Sequence, residues 1–220
     1  YLPHANLQWA DLSYANLTGV NLVGASLIRA DLSYANLTGV DLVGLLAPNV
    51  LPANLMHADL TLANLTGANL SDATLFQARL PDADLSNANL DRADLRFANL
   101  SDANLTNANL FYANLTTAML SRADMSNADL SYTNLSYALL SNTVLNGANL
   151  SGSNLTTARY WSNAHWTSAY YYTNNEPNWH SEMDQAWRDW AGILAIDPTS
   201  GDINGDSVFD AADYTLWQDN

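Results

Sequence analysis

Cysteine is absent from the 220 residues, so no disulfide braces the fold and the redox compartment stays unread. Cations are scarce. Seven Lys and Arg stand against 22 Asp and Glu, for a formal net charge of -15. That balance argues against ordinary nucleic-acid binding, which needs cations to displace counterions. It leaves mimicry of nucleic acid open and favours solubility and cation binding. No run approaches the roughly eighteen apolar residues of a membrane span. No Ser-His-Asp, paired-carboxylate or glycine-rich phosphate motif is visible in the body of the chain, and His4 and His57 stand alone. These absences point away from an enzyme. The chain starts at Tyr1 rather than Met, as expected of a removed leader or a trimmed fragment.

What is present is a period of five. From Leu55 to Leu155 every fifth residue is Leu, with Met125 the one exception. Two residues before each stands Ala, except for Thr133, Thr143 and Ser153. Asn or Asp usually fills the place between, as in Ala68-Asn69-Leu70 and Ala83-Asp84-Leu85. Five is neither the 3.6 of a helix nor the 2 of a flat strand. It fits a chain that turns a corner every five residues and sends two of them inward. A second period is visible as well. ADLSYANLTGVNLVG at 10–24 returns as ADLSYANLTGVDLVG at 30–44, twenty residues later, which is one coil if there are four faces.

Ala5 to about Leu155 resembles the pentapeptide-repeat family, whose consensus is A(D/N)LXX. The resemblance implies an all-β chain wound as a right-handed quadrilateral β-helix, four pentapeptides per coil. It also implies, from some relatives, a DNA mimic that occupies a topoisomerase. Some 7.5 coils at about 4.8 Å per strand layer make a rod near 36 Å long. Leu and Ala layers fill its interior, so function falls to faces and ends. Each coil bonds only to its neighbours, and stability accumulates coil by coil.

Within the rod, residues 5–42 carry eight repeats, with Val20 and Val40 in place of the small residue. The frame then slips at 43–52, where Leu45 and Val50 are expected as centres and Pro48 and Pro52 remove ladder donors. Stacking positions twenty apart predicts an amide ladder through Asn87, Asn107 and Asn127. It predicts stacked pairs Tyr14–Tyr34 and Tyr112–Tyr132, with Arg92 against the latter. Acid looks scattered: Asn104 separates Asp84 from Asp124, and Asp72 and Asp82 lie on adjacent faces. Asn-X-Ser/Thr triplets at Asn16, Asn36, Asn64, Asn69, Asn99, Asn104, Asn114, Asn134, Asn149 and Asn154 arise from the repeat itself. In a secreted protein some could carry sugar.

Three segments follow: repeats over 1–158, an aromatic and helical cap over 159–198, and a tail over 199–220. Tyr160 is the expected last centre, and Trp166 and Tyr171 imply a final coil shifted by one residue. The aromatics of 160–190 either cover the open solenoid end or form a platform for glycans. Residues 181–195 fit a short amphipathic helix capped by Ser181, with Ala186, Trp190 and Ile193 or Leu194 inward and Pro198 as a stop.

The tail carries a cation signature. Asp202, Asn204, Asp206, Asp210 and Asp213 fall at positions 1, 3, 5, 9 and 12 of a twelve-residue loop, and Val208 offers its carbonyl. That spacing wraps oxygens around Ca2+ as an EF-hand does, although Ser207 replaces the usual turn glycine. The stretch resembles one dockerin repeat, GD(F/I)NGDxxxDAADYxxW, a type that ends secreted bacterial proteins; a whole dockerin has two. Asp210 to Gln218 would be its helix. The resemblance implies an extracellular setting. Together these features favour a secreted structural or interaction scaffold, attached through its dockerin-like end or assembled head-to-tail into a filament. The alternatives are the topoisomerase-directed DNA mimic and a carbohydrate-binding surface protein. The partners expected are proteins, a second copy among them, and glycans, with no nucleic acid and no membrane span.

Overall fold

The computed structural model describes residues 2–43 and 52–196. Over 2–43 and 52–159 the chain is a four-sided β-helix with one short parallel bridge per face and coil. Face 1 runs through Asn6, Ser26, Asn54 and Thr74 to Asn154; face 2 through Asp11, Asp31, Asp59 and Arg79 to Arg159. Face 3 carries Asn64, Asp84 and Asn104, and face 4 carries Asn69, Asn89 and Asn109. Eight rungs stack on each of the first two faces, a length of about 34 Å at about 4.8 Å per rung.

Backbone bookkeeping explains the repeat. A pentapeptide has five amide donors, and each must find an acceptor. In Ala98-Asn99-Leu100-Ser101-Asp102, Asn99 N–H donates to Ala78 O in the coil before (2.9 Å), and Leu100 N–H to Met119 O in the coil after (2.8 Å). Asp102 N–H reaches Ser121 O (3.0 Å), and Ala98 N–H closes the preceding turn on Leu95 O (3.0 Å). The fifth donor, Ser101 N–H, has no carbonyl within reach. It takes the Asn99 side-chain Oδ1 (3.1 Å). Asn or Asp before the Leu is thus a turn-forming acceptor, the role in which these residues excel. Ser or Thr two places on adds its hydroxyl to the same oxygen, as Thr106 does on Asn104 (2.6 Å). That double bond is the physical source of the Asn-X-Ser/Thr triplets. The corner itself is made by a residue with positive φ two places after each Leu, from His57 (59°) and Leu62 (59°) to Asn142 (57°).

The two inward residues form the core. Leu22 to Leu155 and the alanines between are essentially without solvent exposure. Where Thr replaces Ala its hydroxyl finds a partner: Thr133 Oγ1 donates to Leu110 O and Thr143 Oγ1 to Leu120 O, both at 2.8 Å.

Several expectations are corrected. Ser26 pairs with Asn54, an offset of 28, and the same offset holds at Asp31–Asp59, Asn36–Asn64 and Asp41–Asn69. Leu45 and Val50, expected as centres, lie among residues 44–51, outside the described residues. The amide ladder does not run through Asn87, Asn107 and Asn127, which occupy the exposed corner. It runs on face 4, where Asn89 Nδ2 donates to Asn69 Oδ1 (3.3 Å) and Asn109 Nδ2 to Asn89 Oδ1 (3.1 Å). Tyr14–Tyr34 and Tyr112–Tyr132 do stack, with centroids 4.7 and 4.8 Å apart. Arg92 turns away from them to grip Asp72 with two hydrogen bonds (2.8 and 2.9 Å). Charge pairing outweighs the ring here.

Beyond Arg159 the coil loosens. Tyr160 is left-handed (φ 57°) and exposed, and Trp161 takes the inward place. His165 and Tyr170 then pair at an offset of 21, the one-residue shift expected. β1 (Tyr170–Tyr172) pairs in parallel with β2 (Leu194–Ile196). Between them, α1 spans Gln185–Ala191 and is shorter than 181–195. Its cap is Asp184, which accepts from Trp187 N–H (2.8 Å), not Ser181. Gly192 ends it in the left-handed conformation, which frees Leu194 to extend. Trp187 and Ala191 face inward, whereas Trp190 is 81% exposed and Ala186 is exposed too. Trp161, Trp166 and Tyr171 are buried and continue the leucine core.

Candidate interaction face

A core this full leaves surfaces. Among the described residues no three His, Cys, Asp or Glu gather where a metal could sit. The calcium-loop residues Asp202, Asn204, Asp206, Val208, Asp210 and Asp213 lie outside the described residues. His57 packs edge-on to Phe76, centroids 6.2 Å apart, and no acid or nucleophile pairs with it among the described residues.

One side of the rod is chemically unlike the others. Eleven large apolar side chains are exposed among the described residues, and eight lie on face 2 or its bordering corners. Trp9, Phe97 and Tyr137 mark the corner with face 1; Tyr14, Tyr34 and Leu62 mark the corner with face 3; Met119 and Tyr160 lie on the face itself. Arginine collects there too. Arg79 and Arg159 are on the face, Arg29 and Arg96 on one border and Arg122 on the other, five of seven in the chain. Aromatics, Met and Arg are the residues enriched in protein–protein contacts.

The charges are held in place. Arg29 lies over the Trp9 ring at 4.7 Å and Arg96 over Phe76 at 5.4 Å. Arg79 meets Asp59 at 3.3 Å. Arg122 grips Asp102 with two 2.6 Å bonds. The hydrogen bond from Arg122 holds the Asp102 carboxyl below the usual carboxylate value, and the Ser13 hydroxyl does the same to Asp11. Arg159 has no ion pair among the described residues.

Face 2 also breaks the turn rule. Between 53 and 155 the Asn/Asp place is lost at five positions, Thr74, Arg79, Met119, Leu139 and Val144. Three are on face 2. At Arg79 the loss costs nothing, because Pro81 has no N–H to satisfy. At Met119 and Leu139 the amides of Ser121 and Ser141 forgo the side-chain acceptor that Ser101 enjoys. Two turn bonds are given up to place apolar side chains outward. Local rules broken without a structural gain are expected at functional or strained sites. With Phe97, Tyr137 and Arg159 these residues line a shallow groove. Sequence reading missed it, although the loss of Asn/Asp at 119 and 139 was there to see.

A family profile described as pentapeptide repeats, in eight copies, matches residues 5–44, 53–92, 88–127 and 123–159, well over half of the chain. Among solved structures, a trypsin-treated form of QnrB1, a plasmid-mediated fluoroquinolone resistance protein, is similar with a TM-score of 0.71, at 16% identity over 90% of each chain. Full-length QnrB1 gives 0.61, at 16% identity over 99% of this chain and 95% of its own. HetL, a pentapeptide repeat protein involved in heterocyst differentiation regulation from the cyanobacterium Nostoc sp. strain PCC 7120, is 33% identical over 78% of this chain and 76% of its own, with a TM-score of 0.34. No curated protein sequence matches the chain.

Proposed function

The chain belongs to the pentapeptide-repeat family of right-handed β-helices, and on that footing we propose that it is a non-catalytic scaffold that binds protein through face 2. The observation that carries this is the exchange of turn acceptors for outward Met119 and Leu139, amid most of the exposed aromatics. A rigid rod with a dry core offers a preorganised contact surface, which lowers the cost of binding. The test is a photo-activated cross-linker at Tyr137, compared with one at Tyr112 on the corner of faces 4 and 1, away from face 2, in cells of the source. Protein adducts from position 137 alone support the reading. None, or equal yield at both positions, overturns it.

The tail supports a secreted setting, in which the dockerin-like loop serves as a Ca2+-pinned attachment point. Asp202, Asn204, Asp206, Asp210, Asp213 and the Val208 carbonyl would hold the ion. Titration calorimetry of the full chain should give one Ca2+ site, lost in Asp202→Ala; unchanged heat in that variant refutes it. Head-to-tail filament growth and glycan binding have less support, since the large aromatics at 161, 166 and 171 are buried. DNA mimicry is also weaker. Asp59, Asp72, Asp91, Asp94 and Asp102 are ion-paired with arginine rather than free to imitate phosphate.

A further inference from the structure

We infer that the occupant of face 2 is a second copy of this chain, packed antiparallel about a two-fold axis that crosses the rods. The inference rests on the reading of face 2 as a docking surface and names its partner. Three observations carry it.

The first is the order of charge along the face. Counting rungs from the N-terminal end, the outward residues are Asp11, Asp31, Asp59, Arg79, Asn99, Met119, Leu139 and Arg159. Acid occupies the first three places, and Arg159, without an ion pair among the described residues, the last. A two-fold across the rods lays rung one on rung eight. Asp11 then faces Arg159 of the other copy, and the pair occurs twice, as an isologous contact requires. A two-fold along the rods would instead set Asp11 on Asp11 and Arg159 on Arg159. Like charges directly opposed disfavour that arrangement.

The second is the border. A two-fold across the rods keeps each corner against itself. The corner shared with face 1 therefore meets its own copy, second rung on seventh. Arg29 comes opposite Tyr137, an aromatic ring for a cation that already rests on Trp9. Phe97 comes opposite Gln77. Asp59, opposite Met119, keeps its own Arg79.

The third is size. Eight rungs at about 4.8 Å and a face with its two corners about 15–18 Å across give roughly 550–700 Å² per copy. Doubled, that is about 1,100–1,400 Å², at the threshold for a specific interface and enough for a reversible dimer. Full overlap is needed to reach it, which selects the register that pairs rung one with rung eight.

Sedimentation of the full chain, with circular dichroism confirming that every variant folds, tests the proposal. Wild type should dimerise, and Met119→Glu with Leu139→Glu should be monomeric. Tyr112→Glu, on the corner away from face 2, should leave the dimer intact. Arg159→Asp should weaken association about tenfold, since two exposed pairs turn repulsive. Adding Asp11→Arg should recover most of that loss. A wild-type monomer up to about 1 mM overturns the inference. So does a dimer that tolerates the face-2 variants, or a charge swap without recovery. A cross-link from position 137 to a different protein, with wild type monomeric, would keep the docking face and discard the second copy.

Discussion

Leu100→Ala removes three carbons from the middle of the rod. Leu100 is fully buried, with Leu80 in the rung before and Leu120 in the rung after, both equally buried. The lost transfer energy is about 2.4 kcal/mol at about 0.8 kcal/mol per carbon. The void adds to this. About 75 Å³ at about 24 cal/mol per Å³ contributes nearly 2 kcal/mol if nothing collapses. Collapse is hard here, because Asn99 and Leu100 are tied to the coils on both sides at 2.9 and 2.8 Å. The total is about 4 kcal/mol, in the upper part of the range for such truncations. Leu7→Ala in the first coil should cost about 1–2 kcal/mol, because Leu7 is only partly buried. Urea titrations followed by circular dichroism give both values. A cost for Leu100→Ala below about 1.5 kcal/mol, or equal to that for Leu7→Ala, refutes the picture of a rigid filled interior.

The remaining predictions concern corners and charges. Met119→Asn should raise stability by about 1 kcal/mol by returning an acceptor to Ser121 N–H, while weakening association; loss of stability would show that the turn bond is not what the site lacks. Gly152→Ala should destabilise more than Gly67→Ala in thermal melts. Both carry positive φ, but the new Cβ at 152 would lie 2.6 Å from the Tyr132 ring, whereas nothing stands within 4 Å at 67. Equal melting temperatures would contradict the packing of that column. The Asp102 carboxyl is held below its ordinary value by Arg122. The stability it contributes is therefore present above the unfolded-state value of about 3.9 and disappears as pH falls through the folded value. Arg122→Ala should thus have a lower urea midpoint than wild type at pH near 7 and match it in strong acid. A gap that persists in acid would place the effect elsewhere.

The rod was legible because burial is repetitive. Every inward place sees the same narrow cross-section, so Leu and Ala recur with no freedom to drift. The Asn/Asp place recurs for an equally local reason, the fifth amide of each turn. Face 2 was not legible in that way. Its columns form only when rungs are aligned, and the 28-residue offset between Asp31 and Asp59 hides that alignment from a fixed count of twenty. Arg92 misled for a related reason: Tyr112 on one side and Asp72 on the other compete for it, and sequence spacing does not rank them. At the C-terminal end the repeat no longer constrains the chain. Trp190 looked inward on a helical wheel, yet Gly192 and β2 cut α1 short and left Trp187 as the residue that packs.

An interior with no room for a guest confines the biology of the rod to its outside. Crystals pressurised with xenon examine that interior directly. The expected density shows three unbroken leucine columns, and a fourth with Met125 in it, with neither xenon nor ordered water between them. Xenon or a row of waters lodged among Leu80, Leu100 and Leu120 would contradict it and return the search for function to the lumen.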